Sequence, residues 1–164
     1  MIQLSERLLA MEESATIAMS RKSRELKAQG KDVISLSLGE PDFNTPQFIK
    51  DAATEAMDNN FTKYMPVPGY DDLRESISNK FKRDNNLNYD TDQIVVSTGA
   101  KQSIANVVLT LINPGDEVII PAPFWVSYIE IVKVAGGIPI LVNAGIDKDF
   151  KIDGKDLENA ITAK

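Results

Sequence analysis

The apolar residues of this chain change their period part-way along it. In the first half they recur three and four positions apart, and beyond residue 93 short β-rich runs alternate with helical stretches. Leu8, Leu9 and Met11 follow Ser5 at helical spacing, so a short helix capped by Ser5 is expected. A second helix is predicted from about Thr16 to Gln29, with Gly30 as its stop. Val33 to Leu36 reads as a short strand, and Gly39-Glu40-Pro41-Asp42-Phe43 as a loop. Thr45 as cap, with Pro46 in the first helical position, opens a helix to about Asn59. The stretch from Tyr64 to Gly69 suits neither helix nor sheet, because Pro66 and Pro68 lack N–H donors and Gly69 adds flexibility. Asp71 or Asp72 should cap a further helix to about Asn85, with Leu73, Ile77 and Phe81 on one face.

The second half has a different grammar. Ile94 to Ser97, Glu117 to Ile120 and Ile138 to Val142 read as strands. Helices from Lys101 to Ile112 and from Val126 to Ala135 separate them, and a last one is expected from Asp156 to Ala163. Strands joined by helices of about ten residues pair in parallel through right-handed crossovers. The expected fold is therefore α/β: a three-layer α-β-α arrangement around an open, mostly parallel sheet, preceded by a helical arm.

Composition narrows the functions. At 43% hydrophobic and 26% charged, the chain is ordinary for a soluble globular protein. The opening residues are too polar for a signal peptide, and no apolar run approaches a membrane span. The absence of cysteine excludes a disulfide framework and fits a cytoplasmic location. The absence of histidine removes the usual imidazole base and an ordinary zinc site. A net charge of −6 argues against nucleic acid, and the basic group Arg21, Lys22, Arg24 and Lys27 reads as a solvated helix face.

Two loops carry candidate chemistry. At Ser97-Thr98-Gly99-Ala100-Lys101-Gln102 a strand ends, a glycine turns the chain and a helix starts. Such a start presents amide N–H groups and the positive end of the helix dipole, which suits a phosphate. Taken alone, the turn is more often a plain strand-to-helix connection with a surface lysine. It lacks the three glycines of dinucleotide-binding turns and the Gly-Lys-Ser/Thr ending of P-loops. The second loop, Pro121-Ala122-Pro123-Phe124-Trp125, follows the next strand and so belongs at the same carboxyl edge of a parallel sheet. Its tryptophan could stack on a heteroaromatic ring or simply pack. Gly39 to Phe43 and Lys63-Tyr64 each have a plain structural explanation in isolation.

In this order, the pieces resemble the class I aspartate aminotransferase family of fold-type-I pyridoxal-phosphate enzymes. The residues that carry the likeness are Gly39-Glu40-Pro41-Asp42-Phe43-Asn44-Thr45-Pro46, Lys63-Tyr64, Gly69, Gly99-Ala100-Lys101-Gln102, Pro114-Gly115-Asp116-Glu117-Val118 and Phe124-Trp125-Val126-Ser127-Tyr128. The resemblance implies that the amides of Gly99, Ala100 and Lys101 hold the phosphate of pyridoxal 5'-phosphate, with Trp125 against its ring. It implies that Tyr64 reaches the phosphate of a partner subunit in a homodimer, and that the main chain of Gly39 meets the substrate α-carboxylate. Lys101 would also face a distal carboxylate, favouring aspartate and glutamate as partners of a 2-oxo acid, with Trp125 lining the same substrate site. Members that also transaminate prephenate carry a lysine where this chain has Glu12, a departure that argues against prephenate.

The resemblance also assigns residues 1–45 to the arm and part of the small domain, and 46–164 to the first part of the large cofactor-binding domain. The family's Schiff-base lysine, and its partners at the ring nitrogen and ring hydroxyl, lie downstream of the matched region. No catalytic residue is therefore expected among these 164, and the chain reads as an incomplete enzyme, inactive alone, with cofactor absent or weakly held. The competing readings are another fold-type-I enzyme, such as a lyase, and a non-enzymatic anion-binding module.

Overall fold

The structure is a computed structural model that describes residues 3–164. The chain forms two compact units: one runs from Glu40 to Gly99, and the other joins the segment up to Gly39 with Ala100–Lys164.

The Glu40–Gly99 unit holds α3 (Gln47–Asp58) and α4 (Asp71–Asn85), followed by a 3-10 turn at Thr91–Gln93. Helix α4 carries Asp71 and Asp72 in its first turn and Lys82 and Arg83 in its last, complementing the helix dipole at both ends. It stops where Asn86 turns left-handed (φ 55°, ψ 35°) and the Leu87 N–H bonds back to the Phe81 carbonyl. Its N-cap is Tyr70 rather than an aspartate. Asp71 instead pairs with Arg74, whose guanidinium also donates to the Thr91 carbonyl at 2.7 Å. Helix α3, by contrast, begins one residue later than the sequence suggests, because Pro46 stays extended (ψ 143°) and serves as the N-cap.

Edge-to-face ring pairs, Phe61 with Tyr70 at 5.9 Å and Phe81 with Tyr89 at 6.2 Å, fasten the loops to α4. Ile94 is the buried apolar residue of this unit, 7% exposed. Gly69 sits at φ +101°, and a Cβ there would lie 2.7 Å from Val96 Cγ2. The Val96 N–H donates to the Pro68 carbonyl at 2.9 Å. The Pro66–Gly69 turn and the segment leading to Gly99 are thus pressed together. Ile94 to Ser97 does not form the expected strand: Ile94 is extended, but among the described residues no strand pairs with this segment. An extended run becomes a strand only with a ladder partner, which local sequence does not specify.

The second unit contains α1 (Glu6–Leu9), α2 (Ala15–Ala28), α5 (Ala100–Leu111), β1 (Glu117–Ala122), α6 (Ser127–Val134), β2 (Ile138–Asn143) and α7 (Gly154–Ala160). Strands β1 and β2 pair in parallel, from Glu117 opposite Ile138 to Ala122 opposite Asn143, with α6 as the crossover between them. The core lies here: Val132 on α6, Ile120 on β1 and Ala144 just past β2 are 2%, 5% and 1% exposed. The expected parallel α/β arrangement is present, with two of the four anticipated strands formed among the described residues.

Val33 to Leu36 is not a strand either; Ile34 and Leu36 stand 86% and 90% exposed, with no strand beside them among the described residues. Helix α7 is held by a capping box, in which Asp153 accepts from the Asp156 N–H at 2.8 Å and Asp156 from the Asp153 N–H at 3.1 Å. It ends at Ala160 rather than Ala163, because Ile161 is extended (φ −73°, ψ 131°). Among the described residues no helix is long and apolar enough to cross a membrane.

Candidate functional site

Lys101 and Trp125 reach each other from two different loops. Lys101 lies in the first turn of α5, and Trp125 in the loop that leaves β1 through a cis Ala122–Pro123 peptide and enters α6. The lysine Nζ stands 5.8 Å from the indole centroid, within the range of a cation–π contact. Trp125 is 49% exposed, so much of the ring remains open to a ligand. Its carbonyl accepts the Tyr128 N–H at 3.0 Å, tying the loop to the start of α6. The pairing is made within one unit, where α5 and α6, the helices on either side of β1, lie against each other.

Gly99 immediately precedes α5 at φ +87°, a backbone region that L side chains avoid, and nothing lies within 4 Å of where its Cβ would be. The approach to this turn is therefore open. The Gly99 N–H already donates to the Ser97 carbonyl at 2.8 Å. Ala100 and Lys101 open the helix, where the first amides have no acceptor within the helix itself. An anion at this turn would meet those two amides, the helix dipole and the Lys101 ammonium together.

Beside Lys101 lies a hollow of about 320 Å³. Lys101, Ala105 and Leu109 line it from α5, Ser127, Glu130, Ile131 and Val134 from α6 with Val126 just before it, and Met11, Glu12 and Ser14 from the arm. Glu130 of α6 accepts the main-chain N–H of Glu12 at 3.1 Å and the Lys133 ammonium at 2.9 Å. Nothing in the sequence singles out Glu130, because a Glu followed by Lys three positions later on a helix looks like an ordinary surface pair. Ser14 was missed for a similar reason: a serine ahead of a helix reads as a cap, although here its side chain makes no capping bond.

The remaining candidates are Gly39 and Tyr64. Gly39 closes the arm segment and is exposed, with nothing within 4 Å of where a Cβ would lie. Tyr64 belongs to the Glu40–Gly99 unit and its side chain is fully exposed.

Residues 31–164 match the sequence pattern of the aminotransferase class I and II family. The chain belongs to that family. The aspartate/prephenate aminotransferase of Nitrosomonas europaea is 51% identical over 163 residues, covering 99% of this chain and 41% of that protein. The aspartate aminotransferase of Bacillus subtilis is 49% identical, covering 99% and 42%. Among solved structures, the Rhizobium meliloti aspartate aminotransferase superposes with a TM-score of 0.94 at 40% identity, over 99% of this chain and 40% of that one. The Thermus thermophilus aspartate aminotransferase with maleate gives 0.93 at 42% identity, over 99% and 42%. The chain thus spans about 40% of the length of the relatives it matches. Its fold is that of the corresponding part of those enzymes.

Proposed function

We propose that this chain serves a pyridoxal-phosphate-dependent aminotransferase that moves an amino group between aspartate or glutamate and a 2-oxo acid. The observation that carries the reading is the meeting of the Lys101 ammonium with the Trp125 ring beside an open glycine turn at a helix start. Those features fit a ligand with an anionic end and an aromatic plane. The amides of Ala100 and Lys101 would hold the phosphate, and that of Gly99 would add to them only by giving up its bond to Ser97. Trp125 would lie against the pyridine ring. When bound, pyridoxal phosphate supplies an electron sink for bond changes at the amino acid's α-carbon.

This chain's own part is to bind and orient. Lys101 offers an ammonium to a substrate's distal carboxylate, which offsets the cost of taking that charge out of water. Gly39 would meet the α-carboxylate through its main chain. The full exposure of the Tyr64 side chain supports a role for it against a partner subunit, reaching the partner's phosphate in a homodimer. In this reading residues 1–45 form the arm and part of the small domain, and 46–164 the first part of the large domain, of a cytoplasmic enzyme. Glu12 lines the same hollow as Lys101 and stands where the resembled members that take prephenate carry a lysine. The substrate proposed is therefore aspartate or glutamate rather than prephenate. The test is amino transfer from aspartate to 2-oxoglutarate by the full-length enzyme with cofactor, followed as oxaloacetate. A cofactor-loaded enzyme that forms no oxaloacetate would sink the proposal.

A further inference from the structure

The contact between Glu130 and the arm crosses 118 positions of sequence. It is also oddly made. Glu12 and Glu130 are both acidic, yet they meet, because the donor is the main-chain N–H of Glu12 and not its side chain. The Glu130 carboxylate is well placed for this task. One oxygen takes the arm amide at 3.1 Å and the other takes Lys133 Nζ at 2.9 Å, so the carboxylate is held from both sides. The Glu130 and Lys133 side chains are only 20% and 27% exposed, which shields their attraction from solvent. Glu130 also lies in the first turn of α6, where the helix dipole favours a negative charge.

The clamp sits beside the candidate site. Met11, Glu12 and Ser14 flank the clamped amide and form one wall of the hollow that Lys101 lines from the opposite helix. We infer that Glu130 is a positioning residue: it pins the arm's backbone at Glu12 and so fixes the wall that faces Lys101. A main-chain donor makes the clamp indifferent to the side chain at position 12. That side chain can change what the hollow accepts while the arm stays in place, and only proline, which has no N–H, removes the donor. This inference rests on the aminotransferase reading for its effect on substrate, but the clamp itself does not.

The test uses the full-length enzyme and two readouts. Hydrogen exchange of the arm peptide containing Glu12 should rise about 10-fold in Glu130→Ala, the factor that a bond of about 1.4 kcal/mol sustains. The KM for aspartate should rise about 3- to 10-fold with kcat within about twofold, because an arm that wanders weakens placement rather than chemistry. Glu130→Gln should restore both, since its amide oxygen still accepts the N–H. Glu12→Pro should reproduce the alanine phenotype from the donor side and stands in if Glu130→Ala does not fold. Unchanged exchange in the folded variants overturns the clamp. Faster exchange with an unchanged KM leaves a structural contact and overturns the positioning role. An enzyme with no transaminase activity defeats the proposed function and with it the KM effect, while the exchange result still decides the clamp.

Discussion

Replacing Gly69 by alanine tests how tightly the turn before α4 is pressed on the segment that leads to the site. Two costs add. The residue sits at φ +101°, and an L side chain in left-handed backbone costs about 1–2 kcal/mol. The new Cβ would also stand 2.7 Å from Val96 Cγ2 and 2.9 Å from Val96 Cβ, closer than carbon atoms tolerate. Val96 is β-branched and stiff at χ1, so it cannot swing clear, and overpacking of this kind costs roughly 1–3 kcal/mol. Together, Gly69→Ala should destabilise the protein by about 2–5 kcal/mol in denaturant unfolding. Adding Val96→Ala removes the nearer clash but neither the Cβ contact nor the backbone penalty, so the double variant should recover part of the loss only. A cost below about 0.5 kcal/mol for Gly69→Ala would refute the reasoning, since that is the range of an unconstrained surface site.

Other expectations follow from the same geometry. Lys101→Ala should lower kcat/KM for aspartate about 10- to 100-fold more than for a neutral amino acid, because only the dicarboxylate has a distal charge to lose; equal losses on both would reassign Lys101 to the cofactor or the fold. The Lys148 ammonium bonds both Asp156 oxygens, at 2.8 and 2.7 Å, and with the Asp153 amide it holds the Asp156 carboxyl below the usual aspartate range. A depressed value stabilises the folded state above the ordinary aspartate pKa and is lost as pH falls through the depressed one. Amide protection in α7 should therefore persist until the pH drops below roughly 3.9 and then fade, and Asp156→Asn should abolish that acid dependence.

Much of the fold was legible in the chain because its helices carry local signals. Helices α2, α4, α5 and α6 fall within a few residues of the periodic runs, and β1 and β2 where β-rich residues follow turn chemistry. The failures share one cause. Val33 to Leu36 and Ile94 to Ser97 have strand-like composition, but a strand also needs a neighbour, and among the described residues neither segment has a ladder partner. Smaller errors came from competition at helix ends: Arg74 took Asp71 from capping duty, and Pro46 kept extended geometry. At the site, the sequence order of the two loops suggested that Lys101 and Trp125 would meet, and they do, although the strand expected before the first loop is not formed. The Glu130 clamp was not, since a bond between a helix side chain and a distant backbone amide leaves no periodicity or spacing behind.

The central claim is that the start of α5 and the indole of Trp125 seat one cofactor between them. Its most direct measurement is a titration of the cofactor-free, full-length enzyme with pyridoxal 5'-phosphate, following the part of the fluorescence lost in Trp125→Phe. That emission should be quenched as the cofactor binds, and Trp125→Ala should bind it about 5- to 150-fold more weakly, the range for loss of one aromatic stack. Cofactor that binds with unchanged Trp125 emission and equal affinity in the alanine variant would contradict the claim.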